Sequence, residues 1–358
     1  VSAPDDLVIK VDGREISGWE EIRVTRSVER LVSDFEVAMT ERFPGISDVV
    51  VKPGQPCEIL LGEDLVLTGY VDRYIPEFTP HQHTVRLSGR SKCQDVVDCS
   101  AVWPGSQLMN GTVLTIAKTL CEPFGVSVNA LNDVGAVIPQ TNLNVGDTPF
   151  DVLEPMARLR GLLMYDDPQG NMVLSGVGKT KAASGFKEGQ NVEAAGIPYT
   201  MDQRFSDYGA FRVKMLAFGD SGNEANLITD VQDPGVLRYR PKFLVADTND
   251  GGFDIAIQRA KWEMVRRVGR SAAVHVIADS WRDADGKLWT PNTLAPVELP
   301  SLKLDLVTWL ISEVSFIRGA GGTHARLVLM HPDSFIPQPF NYQPFPNDLA
   351  KAIEESKR

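Results

Sequence analysis

With 358 residues and 43% hydrophobic content, the chain is long enough for about two to four packed domains, and no stretch approaches the ~18–20 consecutive apolar residues of a membrane span. Its formal charge of −11 argues against general nucleic-acid binding, which depends on neutralising phosphates with Lys and Arg, and the charge is dispersed as on a solubilising surface. Four cysteines, Cys57, Cys93, Cys99 and Cys121, are too few for a disulfide scaffold and match no common metal spacing, so buried, reduced thiols in a reducing cytoplasm are expected. The start, VSAPDDLVIKVDG, shows neither the basic leader nor the apolar segment of a secretion signal.

Within residues 1–98 the period of two that marks strands recurs in LVIKV, EIRVTRSV, DFEVAMT, CEILL, LVLTGYVDRYI and HTVRLSGR, with hairpin turns at Asp12-Gly13 and Gly62-Glu63-Asp64. This pattern predicts a first antiparallel β-barrel module. Residues 99–180 change period and read as an α+β domain. Val113, Ile116, Ala117, Leu120 and Phe124 share one helical face, ended by Pro123 and Gly125. A second helix is expected from the N-cap Thr148 through Pro149 and Asp151 to Gly161, with Pro155 predicting a kink or an early stop. A hairpin around Asp167–Asn171 closes the domain.

The polar, Gly- and Ala-rich stretch 179–198 reads as a linker, so residues 181–218 are assigned to a linker and the start of a second barrel, with a strand at 211–218. Residues 219–270 form an α+β insert ending in a helix with the apolar stripe Ile257, Ala260, Met264 and Val268. Arg259, Lys261, Arg266, Arg267 and Arg270 on its flanks suit a solvated face or an acidic partner. Residues 271–335 complete the second barrel, and 336–358 make a Pro- and aromatic-rich tail with a short charged helix, extended or docked on a neighbour. The expected fold class is mainly β with α+β insertions: two similar antiparallel β-barrel modules plus peripheral α+β domains.

The two modules share a pattern. Residues 57–90 repeat without gaps 240 positions later as 297–330, with Glu58 on Glu298, Thr68 on Thr308, Arg86 on Arg326 and Leu87 on Leu327. About four identities in such a window is close to chance, so the strand, turn, strand rhythm carries the likeness.

Motifs for chemistry are incomplete. LSGVGKT at 174–180 resembles the end of a phosphate loop, but Val173 stands where its first glycine belongs and no amphipathic helix follows. His81 and His83 sit in a turn without a partner at ligand spacing, and DADGKLW at 283–289 lacks the terminal glutamate of a calcium loop and reads as a hairpin turn. G-x-S-x-G, H-E-x-x-H and C-x-x-C do not occur. Neither a catalytic residue, a metal nor a cofactor is implied.

Several segments stand together in order: Gly18-Trp19 with Val24-Thr25-Arg26-Ser27, Thr68-Gly69-Tyr70-Val71-Asp72, and Gly89-Arg90 through Asp98-Cys99. Arg238-Tyr239-Arg240-Pro241 with Ala246-Asp247, and Asp285-Gly286-Lys287-Leu288-Trp289 with Pro291-Asn292, continue the series. Their collinearity, to about residue 337, resembles the baseplate hub, or tail protein, of Mu-like contractile-tailed phages and prophages. The resemblance implies a trimeric virion structural protein, related in fold to the T-even phage hub and the base of type VI secretion spikes. In it, two similar barrels per chain make a pseudo-hexameric ring that joins a six-fold tail tube to a three-fold spike. Implied partners are the chain itself as a homotrimer, tail tube and spike proteins and other baseplate proteins, with DNA only in transit through a central channel. The implied place is the virion tail baseplate, assembled in the bacterial host cytoplasm. An acidic chain would avoid trapping DNA if the channel wall is acidic or neutral. Trp19, Tyr70, Tyr74, Trp309 and Phe316 are candidate subunit-interface residues, each equally suited to a barrel core. The competing reading is an envelope-acting hydrolase or carbohydrate-binding β protein.

Overall fold

The computed structural model describes residues 6–40, 51–103, 105, 107–213, 226–228, 231–245 and 253–335. The first module contains β1 (Leu7–Val11), β2 (Arg14–Ile16), β3 (Glu21–Ser27), β4 (Asp34–Thr40), β5 (Pro56–Leu61), β6 (Asp64–Thr79) and β7 (Gln82–Ser91). Alternation in these strands turns Ile22, Val24, Phe35, Val37 and Leu87 into one core while Arg23, Glu36 and Arg86 face the other way. Asp12 and Gly13, at φ 49° and 73°, make the tight turn between β1 and β2.

A second core belongs to residues 93–176, with α1 (Gln94–Asp98), β8 (Gln107–Gly111), α2 (Val113–Cys121), β9 (Val128–Ala130), β10 (Ile138–Asn142), α3 (Pro149–Leu159), β11 (Leu163–Asp166) and β12 (Met172–Ser175). The apolar face of α2 buries Val113, Ile116, Ala117 and Leu120. Helix α3 starts in a reciprocal cap, the Asp151 N–H donating to Thr148 Oγ1 at 3.1 Å and the Thr148 N–H to Asp151 Oδ2 at 3.0 Å. Pro155 brings no early stop: α3 runs on to Leu159, and Gly161, at φ 64°, turns the chain out. Three cysteines are buried as expected, but Cys99, just past the end of α1, is exposed.

Two expectations change in the middle of the chain. The stretch read as a linker holds β13 (Phe186–Lys187) and β14 (Val192–Gly196), short strands whose Ala and Gly residues carry no apolar alternation. The strand expected at 211–218 is β15 (Asp207–Val213), and residues 214–218 lie outside the described residues. It does not begin the second module. It pairs with β16 (Asn226–Ile228), β17 (Val231–Gln232) and β18 (Pro241–Val245) in a separate four-stranded sheet, packed on α4 (Phe253–Arg270). The tail from residue 336 also lies outside the described residues. The remaining strands are β19 (Val274–Ala278), β20 (Leu294–Leu299), β21 (Leu304–Gly319) and β22 (Gly322–Met330).

The strand orders of the two modules match. One reads β3-β4-β7-β6-β5-β1, the other β14-β19-β22-β21-β20-β13, and both lie in a single 13-stranded sheet. The long hairpins correspond residue for residue, Asp64–Thr79 with Leu304–Gly319, and each carries a register shift at the same place, between Val71 and Arg73 and between Ile311 and Glu313. The first strand of the repeat does not keep the gapless alignment. Glu58 faces Thr68, but Thr308 faces Pro296, because the two-residue turn at Gly62-Glu63 is replaced by the longer 3-10 turn Pro300–Leu302 with Lys303. Glu58 and Glu298 are therefore not structural equivalents. Among the described strands the first ladder does not close on itself, since β3 pairs with β21 and not with β1 or β2, while in the second a single bridge from Glu188, next to β13, to Val192 of β14 links the two end strands.

The β6·β7 pairing requires glycine where Val71 faces Gly89, because a Cβ there would collide with the Tyr70 carbonyl and the Phe35 ring. Gly89→Ala should lower stability by about 1–3 kcal/mol, the usual cost of overpacking, read as a lower urea midpoint.

Candidate assembly site

The contact that unites the two modules is β3 on the far half of β21, running from Ser27 opposite Glu313 to Ile22 opposite Arg318. The Val28 N–H donates to the Ser312 carbonyl at 2.8 Å and Ser27 Oγ to the same oxygen at 3.2 Å, so the carbonyl beside the β21 register shift is satisfied by the other module. Thr25 Oγ1 and Ser315 Oγ meet at 2.9 Å across the joint. Beneath it, Val24, Ile22 and Phe316 share one apolar core.

Side chains from three further places pin the modules to their neighbours. Arg282 reaches from the second module to the β5–β6 turn, donating to Asp64 Oδ2 at 2.6 Å and the Leu61 carbonyl at 3.0 Å. Asn292 Nδ2 donates to Ser175 Oγ at 3.0 Å and its Oδ1 accepts the Gly178 N–H at 2.7 Å, fixing the second module to residues 175–178. Buried Asp166 accepts from the Ser33 N–H at 2.9 Å and Ser33 Oγ at 2.6 Å; burial nevertheless pushes its carboxyl up.

The polar face of the first module is a lattice of opposite charges. Arg23 reaches Asp34 at 2.6 Å and Glu36 at 3.4 Å, and Arg86 reaches Glu36 at 2.8 Å. The hydrogen bond from Arg86, joined by Arg23, holds the Glu36 carboxyl below its ordinary range. The arginines on α4 are paired within the chain: Arg266 with Glu29 at 2.6 Å, and Arg267 and Arg259 with Glu263 at 2.7 and 3.0 Å. A cleft of about 550 Å³ between α3 and α4 is lined by Glu29, Glu263, Arg266 and Arg267 of these pairs.

The candidate interface residues divide. Trp19, Trp309 and Phe316 lie in the chain's own core at 2%, 3% and 1% exposure, so they support the fold from inside, while Tyr70 and Tyr74 are half-buried on β6. Two of the motif residues bind across junctions, Thr68 Oγ1 donating to the Pro168 carbonyl at 2.9 Å and Arg90 joining Asp72 and Asp98 at 2.7 and 2.8 Å, while Ala246 and Asp247 lie outside the described residues. Among the missed elements are β13 and β14; the segment VEAAG of β14 shows no apolar alternation before Ile197 and Pro198.

The discounted motifs have structural roles. Gly178 does not open a helix, and Asp283–Leu288 is a turn in which the Gly286 N–H donates to the Asp283 carbonyl at 3.0 Å. Burial pushes the Cys57 and Cys121 thiols up to about 12, out of the range of reactive thiolates.

Family descriptions match three parts of the chain: Mu phage baseplate assembly protein GpP-like, N-terminal, over residues 6–91; baseplate hub protein gp44-like, second domain, over 93–176; and GpP, fourth domain, over 253–338. The baseplate hub protein gp44 of Escherichia phage Mu is 31% identical, with 92% of this chain and 89% of that protein covered. The 43 kDa tail protein of prophage MuSo2 from Shewanella oneidensis is 33% identical with a TM-score of 0.81, covering 92% of this chain and 99% of that one. At 9% identity, the E. coli c3393 protein, a type VI secretion component described as similar to the T4 tail proteins gp27 and gp5, shares the fold. Its TM-score is 0.57, with 94% of this chain and 80% of that one covered.

Glu36 contributes stability above pH 4.5, its ordinary value, and loses that contribution as pH falls through its depressed folded value. Glu36→Gln should flatten the acid side of the urea-midpoint profile; an unchanged acid limb contradicts the lattice. Trp309→Ala should cost about 3–5 kcal/mol of chain stability by emptying the core, measured by equilibrium unfolding at concentrations low enough to keep association constant.

Proposed function

The chain belongs to the Mu-like phage baseplate hub family, as a structural tail protein and not an enzyme, and from that premise we propose that three copies close into a ring. Each copy supplies two modules of one strand order. Three chains thus present six similar units to a six-fold tail tube and three whole chains to a three-fold spike, around a central channel that DNA crosses in transit. Each module acts as a barrel unit, with residues 93–176 and the sheet packed on α4 forming peripheral domains. The partners are tail tube, spike and other baseplate proteins, and assembly takes place in the host cytoplasm.

The observation that carries this reading is the β3·β21 joint. It shows how one module docks on a like module through a strand edge, and repetition of that contact around an axis generates a ring. A permanent ring of this kind buries on the order of 2,000 Å² or more per interface. Light scattering at micromolar concentration should give the mass of three chains, and negative-stain images should show a three-fold ring with a central hole. A stable monomer would sink the proposal.

A further inference from the structure

Resting on that ring, we propose where the chains join: the edge formed by β14 and the residues after it, Ala195–Thr200, pairs antiparallel with Arg73–Phe78 of β6 in the next copy. The register is that of the internal β3·β21 joint. The partner is a second copy of this chain.

The correspondence follows from three ladders. Val37 faces Leu87, and Val276 faces Leu327, the residue equivalent to Leu87 in the hairpin repeat. Ile22 faces Val37, and Ala195 faces Val276. Ala195 therefore takes the place of Ile22, and Gly196 that of Arg23. The ladder continues past the end of β14, since the Thr200 N–H donates to the Ser271 carbonyl at 2.8 Å. Ala195 and Ile197 pack on the same core as Ile22 and Val24, which fits the assignment.

Among the described residues, neither edge carries a further strand over these segments. The last described pair of β5 with β6 is Pro56 with Tyr70, and no described strand lies on that side of Ile75–Phe78, whereas the equivalent half of β21 carries β3. At the other end, β14 is the terminal strand of the sheet. Phe78, on the open edge of β6, is 85% exposed. In the proposed register it stands opposite Ala195, where the internal joint has Arg318 opposite Ile22.

Backbone direction agrees. The Val28 bond to Ser312 turns the even-numbered residues of β3 toward β21, so Phe316 and its equivalent Pro76 face the joint. Proline is tolerated in a strand where its nitrogen faces an open edge, and it discourages indiscriminate pairing there. Thr200 is turned toward Ser271, so Pro198, two residues earlier, also points away from the joint. The contact between chains is therefore one hydrogen bond poorer than the internal one.

Glu77 and Gly196 correspond to Ile317 and Arg23, an opposed pair whose backbone groups point away from each other. Such pairs bring Cα atoms to about 4.5 Å, within disulfide reach. A Cβ added at Gly196 meets nothing within 4 Å. Within one chain β6 and β14 are not neighbours but stand seven steps apart in the strand order, and a disulfide that links chains is read directly as a covalent oligomer on the gel.

The test uses the full chain with Cys99→Ser, carrying Glu77→Cys and Gly196→Cys, under mild oxidation. A covalent trimer on a non-reducing gel, absent from either single variant, is expected. The control Arg23→Cys with Ile317→Cys should bond within one chain. A trimer in light scattering that yields no cross-link while the control bonds would overturn the joint and leave the ring standing; a monomer in light scattering would overturn both. Independently, Phe78→Asp should raise the concentration at half-assembly at least tenfold with an unchanged urea midpoint. An unchanged assembly concentration counts against the joint.

Discussion

The structure depends on one strand pairing, β3 against the outer half of β21, which joins segments nearly 300 residues apart in sequence. Through it the two modules share a core containing Ile22, Val24, Val314 and Phe316. Without that contact each module would expose a sheet edge and part of an apolar face, and the long hairpin β21–β22 would project without support on one side. The register shift at Ser312 belongs to the same arrangement. It leaves a carbonyl for Val28 and Ser27, so an irregularity of one module is satisfied by the other.

The modules keep topology while exchanging volume. Gly89 and Phe35 meet in the first, and Leu329 and Val274 occupy the corresponding places in the second. Small beside large has become medium beside medium, with the space between the strands filled in both. Gly69 likewise corresponds to buried Trp309. Compensation of this kind conserves packing and erases identity. The repeat is accordingly weak in letters and clear in strand order, strand length and the site of its register shift.

Those junctions also explain why the collinear motifs pointed to a family. Thr68, Arg90, Asp98, Asn292 and the turn at Asp283-Ala284, which bonds to Ala183 and Ser184, lie where one part of the chain meets another, and their hydrogen bonds demand particular donors and acceptors. Core strands accept many apolar combinations of the right volume; a buried Asn292 serving Ser175 and Gly178 accepts few.

Local chemistry in the sequence determined the strands of the first module, the turns at Asp12-Gly13 and Gly62-Glu63, the capped helix beginning at Thr148 and the hairpin repeat. Each depends on backbone preferences and side-chain alternation within about twenty residues. Tertiary structure alone decided which edges meet. The strand Val192–Gly196, poor in apolar residues because it lies at a sheet edge, had no periodic signal, and β15 looked like part of the second module until its partners proved to be β16, β17 and β18. Trp19, Trp309 and Phe316 looked equally fit for an interface or a core, since both environments reward large apolar surface, and only the packing placed them inside. Periodicity states that a face will be buried. What covers it is settled by the rest of the chain, through pairings that span hundreds of residues and leave no local trace.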